Sequence, residues 1–263
     1  MSRPVSLLQS GKFSWKYTMR TLLLSCVLLC SACASYVTPS GAVRLDDIDR
    51  ADIAEIAARK PSPNFPARVA IVRIQAPEYR SYSSEGYGNG RFSVVTTQEL
   101  MTEEQFQKFG TWPSIAAVAP INRLLLPEKL ESLDDLRLSA AKLQADVLMV
   151  YTIDTSFRIQ GRWYGPLSAI SLGLAPDRDA HITSTASALF SDVRTGFVYG
   201  VAEATAKATG LTNFWDSGDM IDKKRLETEQ QAFTLLAAET EKAWSGIASQ
   251  YLQLPATGLD QRN

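Results

Sequence analysis

The feature that most constrains the fold is a helix pattern followed at once by a long strand pattern. In "SLDDLRLSAAKLQ" (132–144), Ser132 is a favourable N-cap residue and Asp135, three positions later, completes a capping-box arrangement. One apolar stripe runs along this helix: Leu133, Leu136, Ala140 and Leu143. The next segment, "ADVLMVYTIDTSFRI" (145–159), is continuously apolar and then alternates, which is typical of a strand whose first part is buried on both faces.

Other segments of the chain carry the same two patterns. Strands are predicted at 67–76, 92–96, 180–190 and from Phe197 onward, and helices at 102–109, with Thr102 as N-cap, and at 222–253. Residues 114–130 are apolar but contain Pro120 and Pro127, so we expect a helix followed by a short strand there. Together the elements predict an α/β (or α+β) protein, a single domain over residues 67–255 with one mixed sheet flanked by helices.

All three cysteines lie in "LLLSCVLLCSAC" (22–33), a short apolar run near the start of the chain. The run follows Arg20, and two small residues precede Cys33, which is the order of regions in a secretory signal. A cysteine directly after small residues resembles the bacterial lipobox, whose cysteine is acylated and becomes the first residue of the mature protein. We therefore predict a signal peptide over residues 1–32, with Met19 as an alternative translation start, and acyl chains such as palmitate on Cys33.

Other interpretations of the cysteine run are less favourable. A C-x-x-C metal or redox site lacks the second pair of ligands that would close a coordination shell. A membrane-spanning helix needs about 20 apolar residues, which the run from Leu22 to Ala34 does not supply. Cleavage before Cys30 would follow Leu29, a poor cleavage residue, so Cys33 is favoured over Cys30, and a plain secretory signal is the remaining alternative.

The charge balance after removal of the leader argues against a nucleic-acid partner. The leader takes four of the 27 basic residues and none of the 28 acidic ones, which leaves 23 against 28, whereas nucleic-acid binding needs a basic face. Residues 33–66 are small, polar and proline-rich, so we expect a lipidated tether with one short helix at 48–58. The tail, 256–263, is expected to be flexible. Ala34, rather than Asp, predicts the outer membrane by the sorting rule of enteric-type bacteria.

Three tyrosines, Tyr79, Tyr82 and Tyr87, lie in and before the glycine-rich segment "EGYGNG" (85–90). Tyrosine offers a large contact area at low entropic cost, and glycine lets a loop adopt unusual backbone conformations, so this stretch is a candidate recognition loop. A plain mobile hairpin tip is the alternative interpretation.

Three residues at predicted junctions are expected to be structural. Asp192 is predicted to hydrogen-bond the backbone of its own turn, and Gly196 to take the positive φ that a tight turn requires. Asp146, at the junction of the helix and the strand, is predicted to bind loop amides in the same way.

Few residues suggest chemistry. In "DRDAH", Asp177, Asp179 and His181 are spaced by two, so on an extended segment they would share one side as metal ligands do; a solvated turn is the alternative. No nucleophile elbow, H-E-x-x-H or phosphate-binding glycine loop is found, so we predict no cofactor and no catalytic constellation. The segment 163–175 is interpreted either as membrane-dipping or oligomer-facing, or as a strand or loop that covers the sheet.

The helix, its following strand and the later hairpin resemble the periplasmic lipoprotein domains of the curli-secretion and penicillin-binding-protein-activator type. The matching residues are Ala141, Leu143, Ala145 and Asp146, then Ala188, Leu189, Asp192, Thr195 and Gly196. The whole chain, including "YTIDTSF" (151–157) and "LGLAP" (172–176), is similar to the rhombotarget lipoproteins, a bacterial family named for co-occurrence with rhomboid-type sorting proteases. The chain lacks an obvious pair of membrane-spanning hairpins, so the resemblance does not extend to the curli-type pore.

The lipobox, the absence of a catalytic constellation and the tether predict a non-catalytic, lipid-anchored cell-envelope protein that binds or scaffolds another envelope component, protein or glycan. We expect it on the outer membrane and facing the periplasm, with the cell surface as the alternative. Two other functions stay open: a cell-wall hydrolase that uses the carboxylates of Asp154, Asp177 and Asp179, and a homo-oligomeric secretion accessory subunit.

Overall fold

The computed structural model describes residues 38–45, 52–62, 64–96, 100–161, 178–212 and 218–252. All of them belong to one compact unit that begins at Val37. Several predictions lie outside the described residues: the signal peptide, the lipidation site Cys33, the segment 163–175, Asp177 and the tail 256–263.

The described part of the chain forms four α-helices, one short 3₁₀ helix and eight strands. The helices are α1 (Ile53–Ala58), α2 (Glu103–Phe109), α3 (Leu133–Lys142) and α4 (Gly218–Tyr251), and the 3₁₀ helix is Arg123–Leu125. The strands are β1 (Ala67–Gln75), β2 (Asn89–Gly90), β3 (Ser93–Val95), β4 (Ile115–Pro120), β5 (Lys129–Leu130), β6 (Val147–Gly161), β7 (Arg178–Asp192) and β8 (Val198–Thr212).

Six of these strands form one mixed sheet. Its order is β3-β1-β6-β7-β8, and β4 pairs with β1 on the side away from β6. Strand β1 is parallel to β4 and β6 and antiparallel to β3, whereas β6, β7 and β8 are antiparallel to one another. The predicted single domain with one mixed sheet flanked by helices is confirmed, in its α+β form.

The sheet has an apolar core on each face, and β1 lies between the two. Val69 and Ile71 point to the layer of α2 and α4, while Ala70 and Val72 point to the layer of α3. The predicted stripe of the C-terminal helix lies in the first layer, where the ring of Trp244 packs 5.6 Å from that of Phe190 and the ring of Phe233 packs 5.1 Å from that of Tyr151. Because β1 and the first part of β6 are buried on both faces of the sheet, their sequences are continuously apolar there.

Strands β6, β7 and β8 extend well beyond β1. Only Val147–Tyr151 of β6 pair with β1, whereas β6 pairs with β7 along its whole length. Residues 152–161, 178–187 and 203–212 therefore form a three-stranded extension of the sheet. Helix α4 packs on one face of the extension, where the hydroxyl of Thr155 donates to Glu229 at 2.9 Å.

Residues 114–130 fold differently from the prediction. Ile115–Pro120 form β4, the 3₁₀ helix follows, and β5 comes last, so no α-helix occurs there. The reason is tertiary, because β4 pairs in parallel with β1, nearly fifty residues earlier in the chain, and Pro120 ends the strand where a missing N–H costs little.

The folded unit also begins earlier than the predicted boundary at residue 67. The backbone N–H of Ala76 donates to the carbonyl of Gly41 at 3.0 Å, and the N–H of Ser62 donates to the Asp192 carboxylate at 2.8 Å. Val43 packs against the core layer of α3. At Gly41, Val43 and Ser62 the predicted tether therefore contacts the domain, whereas α1, within the predicted 48–58 helix, carries no buried residue.

Candidate functional site

Residues 78–90, called here the tyrosine loop, fold back on themselves into a small hairpin. The N–H of Gly86 donates to the carbonyl of Tyr79 at 2.8 Å, and the N–H of Ser81 donates to the carbonyl of Ser84 at 2.8 Å. Across the hairpin, the guanidinium of Arg80 binds the carboxylate of Glu85 at 2.7 Å. The loop thus has an internal structure of its own.

The end of the tyrosine loop is fastened to the rest of the domain by strand-type hydrogen bonds. Tyr87 and Val94 exchange two backbone hydrogen bonds, of 2.8 and 2.9 Å. The N–H of Asn89 donates to the carbonyl of Glu128 at 2.7 Å, where β2 pairs with β5. These bonds tie the end of the loop to β3 and β5, while the recognition loop and the plain mobile hairpin tip both stay predictions.

Two glycines of the loop are required by backbone geometry and by space. Gly88 and Gly90 have φ values of 96° and 132°, in a region that side chains with a Cβ rarely adopt. A Cβ on Gly88 would run into the side chain of Leu130, and one on Gly90 would run into the carbonyl of Leu130. The glycines therefore let the loop lie directly against β5.

The loop encloses a polar cleft of about 300 Å³ that is open to solvent. The residues that line it share polar side chains or accessible backbone: Glu78, Tyr79, Arg80, Glu85, Gly86, Gly88 and Asn89. Carboxylates, a guanidinium and a carboxamide together offer both donors and acceptors of hydrogen bonds. Such a set can recognise hydroxyl, amide or charged groups of a partner.

The three tyrosines occupy different places in this loop. Tyr82 is 61 % exposed, whereas Tyr87 is half-buried against the core layer of α3, with the guanidinium of Arg123 5.7 Å from its ring centroid. Tyr79, in contrast, is only 2 % exposed, and its hydroxyl accepts a hydrogen bond from Arg73 at 3.2 Å. The recognition prediction is therefore corrected for Tyr79, whose phenol is an interior group, and stays a prediction for Tyr82 and Tyr87.

The structure contains a buried charge cluster behind Tyr79 that the sequence patterns did not predict. Arg225, which is fully buried, donates to Asp222 at 2.8 Å and lies 2.7 Å from the carboxylate of Glu229. Glu229 also lies 3.8 Å from Arg73 of β1. Burial alone would lower the pKa of Arg225, but the hydrogen bond that it donates to Asp222 and the charge of Glu229 raise the pKa above its ordinary value.

This cluster fixes α4 against β1 and β6, and its two arginines balance its two carboxylates. A sequence signal existed in the spacing of Asp222, Arg225 and Glu229, which places all three on one helix face. The same spacing is usual on solvated helices, so it did not indicate burial.

The junction residues make the contacts that a structural role requires. The Asp192 carboxylate is fully buried and accepts four hydrogen bonds, from the N–H groups of Ser62, Arg194 and Thr195 and from the hydroxyl of Tyr199. The first three are 2.8 to 3.0 Å long and the last is 2.5 Å. Burial, and then the bond to Asp192, raise the pKa of Tyr199 above its ordinary value.

Gly196 and Asp146 complete this region. Gly196 has a φ of 71°, and its N–H donates to the carbonyl of Asp192 at 3.0 Å. Asp146 accepts from the N–H of Arg68 at 3.0 Å and from the side chain of Asn64 at 3.1 Å. Residues 192–196, called here the hairpin turn, are thus tied to the segment before β1 as well as to their own strands.

The remaining described candidates, Asp154, Asp179 and His181, lie on β6 and β7, and Asp177 is outside the described residues. Asp179 and His181 lie two apart on β7, but no group of three His, Cys, Asp or Glu side chains within the described ranges is arranged to hold a metal ion. Asp154 of β6 pairs with Thr185 of β7, and Thr185 lies six residues along β7 from Asp179. The backbones of Asp154 and Asp179 are therefore about 20 Å apart. That distance exceeds the roughly 5–9.5 Å between the carboxylates of a glycosidase pair.

None of the helices in the described part of the chain combines the length and the apolar composition needed to cross a membrane. No protein-family model matches the chain, and no curated protein matches it.

Three solved structures are similar to parts of the chain. A Xanthomonas campestris protein of the family designated DUF330 shares 14 % identity over 82 % of this chain and 98 % of that one, with a TM-score of 0.34. A dodecamer of PelC from Paraburkholderia phytofirmans shares 10 % identity over 68 % and 94 %, with a TM-score of 0.28. A lipoprotein from Neisseria meningitidis shares 13 % identity over 62 % and 94 %, with a TM-score of 0.27. Likenesses this distant do not say what the protein does.

Proposed function

We propose that the protein is a lipid-anchored cell-envelope protein that binds another envelope component, a protein or a glycan, through the cleft of the tyrosine loop, and that it catalyses no reaction. The observation that carries this proposal is the loop itself, which presents a polar cleft and the exposed ring of Tyr82 on a backbone held by strand-type hydrogen bonds. A loop already held in one conformation loses little entropy when it binds, so more of the contact energy remains as affinity.

The chemistry of the cleft supports a binding role. The ion pair of Arg80 and Glu85 lies at the surface, where water can be replaced by the polar groups of a partner. Tyr82, two residues after Arg80 in the same loop, supplies an exposed aromatic surface of the kind that dominates the energy of many interfaces. A planar ring next to hydrogen-bonding groups suits both a sugar face and a protein side chain.

The anchor is the second part of the proposal. The lipobox-like run that ends at Cys33 supports acylation, and several acyl chains on one residue hold a protein firmly at a membrane. Ala34 supports the outer membrane, with the domain in the periplasm.

The anchor is tested by replacing Cys33→Ser and separating the membrane from the soluble fraction. We expect the parent chain in the membrane fraction and the variant, which has no acyl chains to bury, in the soluble fraction. Continued sedimentation of the variant with the membrane would contradict the anchor and leave the binding proposal to its own test.

Binding is tested by capture from chemically crosslinked cell envelopes. We expect Tyr82→Ala to lower the recovery of the specific partner about tenfold, as removal of a central aromatic contact commonly does. Leu138→Ala is the matched control, because Leu138 is a similarly exposed side chain on α3, outside the loop. Equal recovery with both variants would contradict a contact between Tyr82 and the partner.

A further inference from the structure

Strand β8 ends the sheet and leaves a long edge. One side of β8 pairs with β7, and no strand in the described part of the chain pairs with its other side. The strand is 15 residues long and contains no proline, and the irregularity in its pairing with β7, at Val198–Gly200, is confined to its start. Natural edge strands are usually short, bulged or otherwise protected, because their unpaired N–H and C=O groups readily pair with another strand.

The side chains of β8 alternate between two environments. The alanines Ala202, Ala204 and Ala206 face α4, and the residues between them face solvent. The solvent-facing residues are Val201, Glu203, Thr205, Lys207 and Thr209. Val201 is 69 % exposed, which makes it one of the most exposed large apolar side chains in the described ranges.

The two charges of β8 lie symmetrically about one residue. Glu203 and Lys207 are its only charged side chains, two positions before and two positions after Thr205. Being four residues apart on one face, they are separated by about 14 Å along the strand and cannot pair with each other. Neither forms an ion pair with another described residue, and Glu203 accepts a single hydrogen bond of 3.1 Å, from Ser187.

We propose that β8 pairs antiparallel with β8 of a second copy of this chain, about a two-fold axis that passes beside Thr205. In this register Thr205 lies opposite its own symmetry mate, and Glu203 of each copy lies opposite Lys207 of the other. Both charges of both copies are then paired across the strands, and opposite charges in directly opposed positions stabilise antiparallel pairs. Val201 loses solvent exposure against the partner strand at the same time.

The charge pattern favours a second copy over an unrelated strand. A single lysine on an edge strand would protect that edge, because its charge would be repelled or left unpaired when another strand approached. In a two-fold pairing centred on Thr205, the residue opposite Lys207 is Glu203 of the other copy. No other two-fold register places these two residues opposite each other. The alanines on the α4 side add no bulky side chains that would hinder the approach.

The register is tested by charge reversal in the full chain, extracted in detergent, with the molar mass measured by light scattering. We expect twice the monomer mass for the parent. Glu203→Lys and Lys207→Glu each oppose like charges at two symmetry-related places, so each should raise the dissociation constant of the dimer at least tenfold. The double variant with both changes restores the pairing and should restore the dimer. Lys223→Glu makes the same charge change on the exposed surface of α4 and should leave the mass unchanged.

A second experiment tests the pairing within the membrane. Directly opposed residues of an antiparallel pair have Cα atoms about 4.5–5.5 Å apart, a distance that a disulfide spans. Mild oxidation of intact envelopes should therefore link Thr205→Cys chains into dimers. Thr209→Cys is the control, because the proposed register leaves its two thiols about 27 Å apart and it should stay unlinked.

The proposal is overturned by any of four results: a monomeric parent chain with no crosslink at position 205, a larger closed ring, dimers that are insensitive to both charge reversals, or a Thr205→Cys chain that links to a different protein. Because the variants lie on β8, these outcomes are independent of whether the tyrosine loop binds a partner.

Discussion

The hairpin turn and the tyrosine loop are both tight connections that need glycine, yet they differ in where their polar groups point. In the hairpin turn, the Asp192 carboxylate is buried and all of its four hydrogen bonds come from this chain, one of them from Ser62, 130 residues away. In the tyrosine loop, the carboxylate of Glu85 and the guanidinium of Arg80 pair at the surface beside an open cleft. The carboxylate of Asp192 is therefore out of reach of a partner, whereas that of Glu85 is accessible.

The difference shows why a strong sequence motif need not mark a functional site. The hairpin turn carries the clearer motif, and it belongs to the resemblance to envelope lipoproteins. Its carboxylate, however, has no capacity left for a ligand, since its acceptor sites are used by the fold. The tyrosine loop carries a vaguer pattern of glycine and tyrosine, and its cleft remains accessible.

The largest effect that separates the two regions is expected for Asp192→Ala. The change leaves the hydroxyl of Tyr199 and several backbone N–H groups without their acceptor, and should lower the free energy of unfolding by about 3 kcal/mol or more. Glu85→Ala, which removes a carboxylate from an exposed ion pair, should cost at most about 1 kcal/mol. Urea unfolding measures the free energy of unfolding of both variants, and equal losses would contradict the expected difference between the two regions.

A smaller effect is expected from alanine at the glycines. Gly90→Ala should cost about 1–3 kcal/mol, because a Cβ there meets the rigid backbone carbonyl of Leu130. Gly196→Ala should cost about 1–2 kcal/mol, since its φ lies in the left-handed helical region and its Cβ meets a side chain, the guanidinium of Arg137, rather than backbone.

The matched control for both glycine variants is Gly246→Ala. Gly246 lies inside α4 with open space around it, so alanine should stabilise the protein by about 0.5–1 kcal/mol. Thermal unfolding ranks the three variants, and a Gly90→Ala protein as stable as its parent would show that the loop does not need the observed backbone.

The smallest effect concerns the pH dependence of stability at the hairpin turn. Because the pKa of Tyr199 is raised in the folded protein, its contribution is fully present below the unfolded tyrosine value of about 10 and is lost as the pH rises further. Tyr199→Phe should therefore be less stable than the parent at pH 8, and the difference should shrink above pH 10. Parallel loss of stability in both proteins, followed by thermal midpoints between pH 8 and 11, would contradict this assignment.

The sequence by itself determined those parts of the fold that depend on neighbouring residues. Helix α3 begins as predicted, with the Asp135 carboxylate accepting from the N–H of Ser132 at 3.0 Å, because a cap joins residues three positions apart. The long strands and the C-terminal helix follow from periodicity, and the turn after β7 follows from an aspartate and a glycine four residues apart.

Only the tertiary structure decided the features that join distant segments. Strand β4 exists because β1 is there to pair with it, and the segment around Gly41 is folded because Ala76 donates to it. Which tyrosine is buried, which charges of α4 face inward and which strand ends the sheet depend on contacts between residues far apart in the chain. Such contacts leave no local period or cap in a sequence, because their free energy comes from the packing of whole elements.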